Sequence, residues 1–537
     1  MPTLNWIGKE AVVNHHHQVP FHLLKDVPEL ACGDPGSGNL IVQGDNLVAL
    51  KALLPYYAGQ VKCIYIDPPY NTGNEGWIYN DNVNSPLIRD WLGKAVGKDA
   101  EDLSRHDKWL CLMYPRLALL RQFLREDGAI FISLDDNEVQ ALRYVMDEIF
   151  GANNFVTTVI WQKVYSPKNS ARHFSEDHDY IVVYAKSANG WRPNLVPRNA
   201  EQDSAYKNRD DDPRGVWKTS DLSARNPYSG GLYSVTSPSG RVIAGPPTGR
   251  YWTISKEKFE TFDKDKRIWW GKKGDSIPQF KRFLSDVKQG VVPQTLWFYN
   301  EVGHTQDAKK ELVEIMNFAD SDSVFITPKP TRLLHRILQV ASDPGDLILD
   351  SFAGSGTTGH EVLILNKADV GNRRFILVEM ESKIARDITA ERVKRVAQGY
   401  TNAKGVLVEG LGGGFRFCEL GEPLFDERGQ IKPSVRFADL ARHVYFTETG
   451  EPLPRERVPT SPFLGECRGV GIYLLFNGIL GDKSANGGNI LTRAVLAQLP
   501  KFDGQKVIYC AGCLLGKDRL QAERIIVRQT PYEIKVS

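Results

Sequence analysis

Two stretches decide the fold of this 537-residue chain: Val61-Lys62-Cys63-Ile64-Tyr65-Ile66-Asp67-Pro68-Pro69-Tyr70 and Leu347-Ile348-Leu349-Asp350-Ser351-Phe352-Ala353-Gly354-Ser355-Gly356-Thr357-Thr358. Each begins as a short apolar run of the kind that makes a strand buried on both faces, which is the habit of parallel sheets. Each then stops abruptly. The first ends in a carboxylate and a Pro-Pro pair, the second in glycines that open into a helix.

The alternation extends outward from both. Asn39 to Gln43 reads as a strand ending at Gly44-Asp45, and Leu47 to Tyr56 as a helix. Leu110 to Arg125 has leucines at helical spacing, Ala129 to Leu134 is a further strand, and Glu138 to Phe150 is amphipathic. After residue 325 the same rhythm returns. Thr331 to Val340 is a helix, Arg374 to Val378 a strand ending at Glu379, and Ser382 to Gln398 a closing helix. Strands alternating with helices of this length predict an α/β, doubly wound, mostly parallel Rossmann-like sheet.

Between the halves the character changes. Residues 155–325 hold short β-rich patches separated by polar, Pro/Gly-rich loops, with aromatics beside basic residues, as in Gly249-Arg250-Tyr251-Trp252 and Arg267-Ile268-Trp269-Trp270-Gly271-Lys272-Lys273. Residues 161–310 carry 25 Lys/Arg against 17 Asp/Glu, although the whole chain is only +2. A basic segment in an otherwise slightly acidic protein points to a polyanion surface or to a solvated face, and charge alone does not separate them. The divisions read from the sequence are an amino-terminal arm (1–38), two halves of one sheet domain (39–154 and 326–400), the insertion 155–325, and a smaller α+β module (415–537) after the linker 410–414. No apolar run reaches membrane-spanning length, and Met1 to Glu10 shows no secretory signal pattern. Seven scattered cysteines imply reduced thiols and a cytoplasmic protein.

Gly354-Ser355-Gly356-Thr357-Thr358-Gly359 follows a strand and opens a helix, and Glu379 lies 20 residues beyond Gly359. That spacing suits a nucleoside cofactor: glycines admit the ligand to the backbone and the acid takes ribose hydroxyls. By itself it fits a nicotinamide oxidoreductase as well. Asp67-Pro68-Pro69-Tyr70 discriminates. A carboxylate and the Pro68 carbonyl are both acceptors, so together they take both hydrogens of an –NH2 group. The nitrogen lone pair is then localised, and Tyr70 stacks on the heterocycle. The prolines, Pro69 included, fix the geometry. If the two strands are neighbours, both loops share one crevice at the point where strand order reverses.

With Asn71-Thr72-Gly73 after the first motif, the pair resembles the amino-methylating DNA methyltransferases. The order, Asp-Pro-Pro-Tyr first and the glycine loop last, resembles their β group. Ile78-Tyr79-Asn80-Asp81 and Thr327-Pro328-Lys329-Pro330 are similar to modification subunits of type III restriction systems. The resemblance implies a methyltransferase sheet with circularly rearranged motif order, S-adenosylmethionine as cofactor and the N6 amine of a flipped-out adenine in double-stranded DNA as target. It makes Asp67, Pro68, Pro69 and Tyr70 the catalytic set. Phe352, Gly354 and Gly356 line the cofactor pocket, flanked by Asp350 and Thr357, with Glu379 on the ribose, Asp45 by the adenine, and Lys329 and Pro330 by the methionine end. It implies no metal, makes 155–325 the target-recognition region, and makes a restriction (helicase) subunit and a homodimer plausible partners. The N4 amine of cytosine poses the same chemical problem and stays open as a rival, as does a catalytically inactive DNA-binding specificity module. His15-His16-His17 lacks further ligands for a metal, and Cys510 and Cys513 sit in a context that suits buried thiols. Asp135 and Asp136 either shape the crevice or cap the next helix.

Overall fold

The computed structural model describes residues 3–72, 104–198, 203–287, 290–316, 327–453, 460–476, 479–481 and 488–530. Gly73 and Ile78-Tyr79-Asn80-Asp81 lie outside them. Ten strands make the principal sheet: β1 (His22–Asp26), β2 (Leu40–Gln43), β3 (Val61–Ile66), β4 (Leu124–Leu134), β5 (Phe155–Gln162), β6 (His178–Ala185), β7 (Leu296–Trp297), β8 (Leu347–Asp350), β9 (Arg374–Glu379) and β10 (Arg416–Pro423). Their spatial order is β1-β10-β2-β9-β8-β3-β4-β6-β5-β7. The six strands from β10 to β4 are all parallel, whereas β6 runs against both β4 and β5.

The parallel strands are apolar almost throughout because helices cover both faces. β8 is buried at every position and β3 at all but Lys62. Gly128 shows how tightly β4 meets β3. A Cβ there would sit 2.9 Å from the Val61 carbonyl oxygen, at the point where the β3–β4 register shifts. Only glycine fits. The helix Arg105–Phe123 begins with a reciprocal cap between Ser104 and Asp107 and buries Trp109, Leu117, Leu120 and Phe123. The helix Thr331–Ala341 buries the predicted stripe Leu333, Leu334, Ile337 and Leu338.

The inserted unit is shorter than 155–325. It runs from Asn194 to Pro293, and the segments on either side belong to the unit that holds the sheet. The reason is pairing: Phe155–Gln162 and His178–Ala185 form a long antiparallel ladder that continues the sheet from β4. The inserted unit has its own three-stranded sheet, Ile268–Trp269, Gln279–Phe283 and Trp217–Asp221. Its small core includes Leu222, Val235, Trp252, Phe259 and Trp270. Lys281, 3% exposed, is held between Asp210 and Asp212.

Segments from the amino-terminal arm and from the start of the carboxyl-terminal module also join the principal sheet. β10 lies parallel to β2, and β1 pairs antiparallel with β10, so residues 22–26 and 416–423 extend the sheet rather than standing apart from it. Beyond them, four strands (Phe463–Cys467, Val470–Leu474, Gln505–Cys510 and Ile525–Gln529) form a second sheet, and the helix Phe437–Thr449 packs on it. Among the described residues no helix is long and apolar enough to cross a membrane.

Candidate active site

β3 and β8 are neighbours. Cys63 pairs with Ile348 and Ile64 with Leu349, which puts Asp67 and the glycine loop at the same edge of the sheet although 285 positions separate Asp67 from Phe352. From β8 the sheet continues outward to β9, and from β3 it continues to β4 on the other side. This is the switch point at which doubly wound sheets bind ligands. One crevice there is lined by Asp67, Lys329, Asp350, Phe352, Gly354 and Thr357 of the predicted residues, together with Tyr65, Thr327, Pro328, Ala353, Ser355 and Thr358.

Asp67 is 8% exposed. Its Oδ2 accepts a charged hydrogen bond from Lys329 Nζ, while Oδ1 has no partner among the described residues. Burial pushes the carboxyl up; the Lys329 ammonium opposes this but does not overcome it. The Pro69 carbonyl is taken by the indole N–H of Trp109 at 2.6 Å. Among the described residues, the buried side-chain acceptors of this loop that lack a partner are Asp67 Oδ1 and Asn71 Oδ1.

Tyr70 lies under the same lysine, with Nζ 5.1 Å from its ring centroid. Its hydroxyl donates to Asp179 Oδ2 at 3.3 Å. Asn71 follows in the left-handed region (φ 58°), and its amide donates to the Arg105 carbonyl and to Glu138 Oε1. Glu138 is 1% exposed and also meets His106 Nδ1 at 2.6 Å; burial pushes its carboxyl up. Two buried carboxylates, one on β6 and one just before the helix Val139–Met146, thus hold the loop after Asp67. Neither carries a motif. Glu138 reads in the sequence as an ordinary helix start, and Asp179 as one acid among several.

The glycine loop is braced from below. Gly354 (φ 51°) and Gly356 (φ 76°) occupy the left-handed region, and a Cβ on Gly356 would sit 3.1 Å from the Thr389 carbonyl oxygen. Glu379, at the end of β9, accepts the N–H of Gly354 and of Glu381, each at 2.9 Å. Thr389 Oγ1 donates to the Gly354 carbonyl at 2.6 Å. The fully buried Arg392 donates to Ser355 Oγ and to Thr357 Oγ1. Asp350 accepts from the Phe352 N–H and the Thr358 hydroxyl, and burial raises its carboxyl to about 7.

Seven predicted residues stand outside the crevice lining: Pro68, Pro69, Tyr70 and Gly356, which belong to the two loops that border it, and Asp45, Pro330 and Glu379. Asp45 caps the helix Asn46–Tyr57 through the N–H groups of Leu47 and Val48, and pairs with the buried Arg116 at 3.1 Å. Pro330 starts the helix Thr331–Ala341, and Glu379 acts on the loop from behind. Elsewhere, His16 is buried and its imidazole is pushed down to about 4, chiefly by that burial. No group of residues among those described is arranged to hold a metal ion. Cys510 is buried and Cys513 half-buried, both as free thiols. Asp136 accepts the Tyr180 hydroxyl at 2.8 Å, and Asp135 accepts the Asn137 N–H within a turn, so neither caps the next helix.

Residues 61–391 match the DNA methylase family. The type III restriction-modification enzyme StyLTI Mod subunit of Salmonella typhimurium is 36% identical over 67% of this chain and 57% of its own length. The EcoPI Mod subunit of Escherichia phage P1 is 30% identical over 71% and 64%, and the EcoP15I Mod subunit of Escherichia coli 30% over 83% and 74%. The chain thus spans about three-fifths of the length of the first two. The matched region begins at the first residue of β3 and ends at Glu391, next to the buried Arg392 that braces the glycine loop. On that match, which covers more than half of its residues, the chain belongs to the DNA methylase family.

Proposed function

We propose that this chain transfers a methyl group from S-adenosylmethionine to the N6 amine of an adenine flipped out of duplex DNA. The observation that carries the reading is the buried, half-satisfied Asp67: one oxygen is held by Lys329, and the other is buried without a partner among the described residues, one strand away from a glycine loop.

The crevice suits the cofactor. Gly354 and Gly356 leave backbone without Cβ atoms, Glu379 is an acceptor at the end of the next strand, and Lys329 offers a cation opposite the loop. When bound, S-adenosylmethionine supplies an electrophilic methyl group. The chain's own residues do the rest. Asp67 Oδ1 and the Pro68 carbonyl accept the two amine hydrogens, which turns the nitrogen lone pair out of the ring system. Tyr70 offers a ring face to the base. As the N–C bond forms, one amine proton must leave, and a carboxyl raised by burial is suited to accept it.

A base in a duplex cannot reach a buried crevice, so it must be extruded at a cost of a few kcal/mol. The Asn194–Pro293 unit carries 18 Lys/Arg against 12 Asp/Glu and is the part proposed to read DNA. Three of its four tryptophans, Trp217, Trp252 and Trp270, are buried, so they hold the unit together rather than probe the helix. The relatives are named as subunits of type III restriction-modification enzymes, which supports association with a restriction subunit in a cytoplasmic complex. The experiment is Asp67→Ala: methyl transfer to DNA should vanish while binding of S-adenosylmethionine, measured by calorimetry, stays within about threefold of wild type, a change of less than about 0.7 kcal/mol. Loss of both would remove Asp67 from the role assigned to it.

A further inference from the structure

The hydroxyl of Tyr70 is anchored by a buried carboxylate that the amine-gripping chemistry does not require. Asp179 lies 109 residues further along the chain, on β6, and is 2% exposed. Its Oδ2 accepts the Tyr70 hydroxyl at 3.3 Å, and its Oδ1 accepts Lys163 Nζ at 2.5 Å. Lys163 is the residue after β5, so two strands of the sheet converge on one phenol. Stacking on a base needs only a ring, and phenylalanine would provide it. A hydroxyl, a buried carboxylate and a counter-cation are the parts needed to fix how that ring is turned. The phenol donates to Asp179 Oδ2, so its hydrogen is committed to the protein.

We infer that Asp179 is a positioning residue for the target base, setting the plane of the Tyr70 ring through its hydroxyl, with Lys163 as the fixed counter-ion. The inference rests on the reading of the Asp67 crevice as an amine-methylating site. It assigns work to a residue that touches neither the cofactor nor the amine. Because the action runs through a single hydroxyl, removing the hydroxyl and removing the charge that holds it should be equivalent.

A double-mutant cycle of Tyr70→Phe and Asp179→Asn in the full chain tests this, with methyl transfer from tritiated S-adenosylmethionine to unmethylated plasmid DNA as the readout. Each single variant should lower kcat about tenfold, the scale of one hydrogen bond to a charged group. KM for DNA should stay within about twofold. The double variant should fall no further than the singles. Multiplicative losses near a hundredfold, a rise in KM at unchanged kcat, or a wild-type rate in Asp179→Asn would each overturn the role of Asp179. A wild-type chain that methylates no DNA would instead overturn the reading on which it rests.

Discussion

Replacing Lys329 by methionine keeps an unbranched stem of similar length and takes the ammonium away from Asp67. Both partners are buried, with side chains 9% and 10% exposed, so the pair is not screened as a surface bridge would be. Breaking a buried pair costs about 3–5 kcal/mol if the surviving charge stays ionised. Asp67 has an escape, which is to take up a proton. Burial already raises its carboxyl above the ordinary value, and Lys329 opposes that rise, so the substitution raises it further. An acid whose folded pKa lies above its unfolded value, about 3.9 for aspartate, costs nothing at pH values below both, and destabilises increasingly as pH rises between them. The gap in melting temperature between wild type and Lys329→Met should therefore widen as pH rises above the unfolded aspartate value of about 3.9. Activity should move in parallel. If ionised Asp67 is the acceptor for the amine, the acid limb of the methyl-transfer rate shifts to higher pH in the variant. Scanning fluorimetry across pH and initial rates of tritiated methyl transfer measure the two effects. A melting gap independent of pH, together with an unchanged acid limb, would refute the coupling of Lys329 to Asp67.

Gly356→Ala places a Cβ 3.1 Å from the Thr389 carbonyl oxygen at a φ of 76°. A left-handed alanine costs about 1–2 kcal/mol, so affinity for S-adenosylmethionine should drop by about tenfold, read by calorimetry. Changing the exposed Arg225, Lys272 and Lys273 to glutamine should reduce DNA affinity. It should also flatten the slope of log affinity against log salt by about 0.9 for each phosphate no longer neutralised, seen in fluorescence anisotropy. Glu138→Leu removes the buried partner of Asn71 and His106. Methyl transfer should fall while cofactor affinity is preserved, because the glycine loop is braced by Glu379, Thr389 and Arg392 instead.

What is legible in the sequence is whatever is written locally. Apolar runs ending in Asp67 and Asp350 declare buried parallel strands, and the prolines and glycines after them declare their turns. That these strands pair with each other is long-range, yet it follows from the rule that ligand loops meet at a switch point. The compact unit Asn194–Pro293 is narrower than the stretch 155–325 for a physical reason. Phe155–Gln162 and His178–Ala185 are flanked by polar, proline-containing loops like those of the insertion, and only their ladder with β4 assigns them to the main sheet. The supports of the site are illegible for another reason. Asp179, Glu138, Thr389 and Arg392 act through buried hydrogen bonds to backbone or to a neighbouring side chain, and no spacing in the chain announces such a partner. Asp45, given to the cofactor by resemblance, also caps a helix and pairs with Arg116, and the ion pair is equally unannounced by the sequence.

Everything turns on Asp67 gripping an exocyclic amine of adenine. Long-read sequencing of DNA from cells expressing either the wild-type chain or Asp67→Ala tests it most directly. The prediction is N6-methyladenine at one defined sequence in the first and none in the second. N4-methylcytosine, no modified base, or a mark that persists in Asp67→Ala would contradict it.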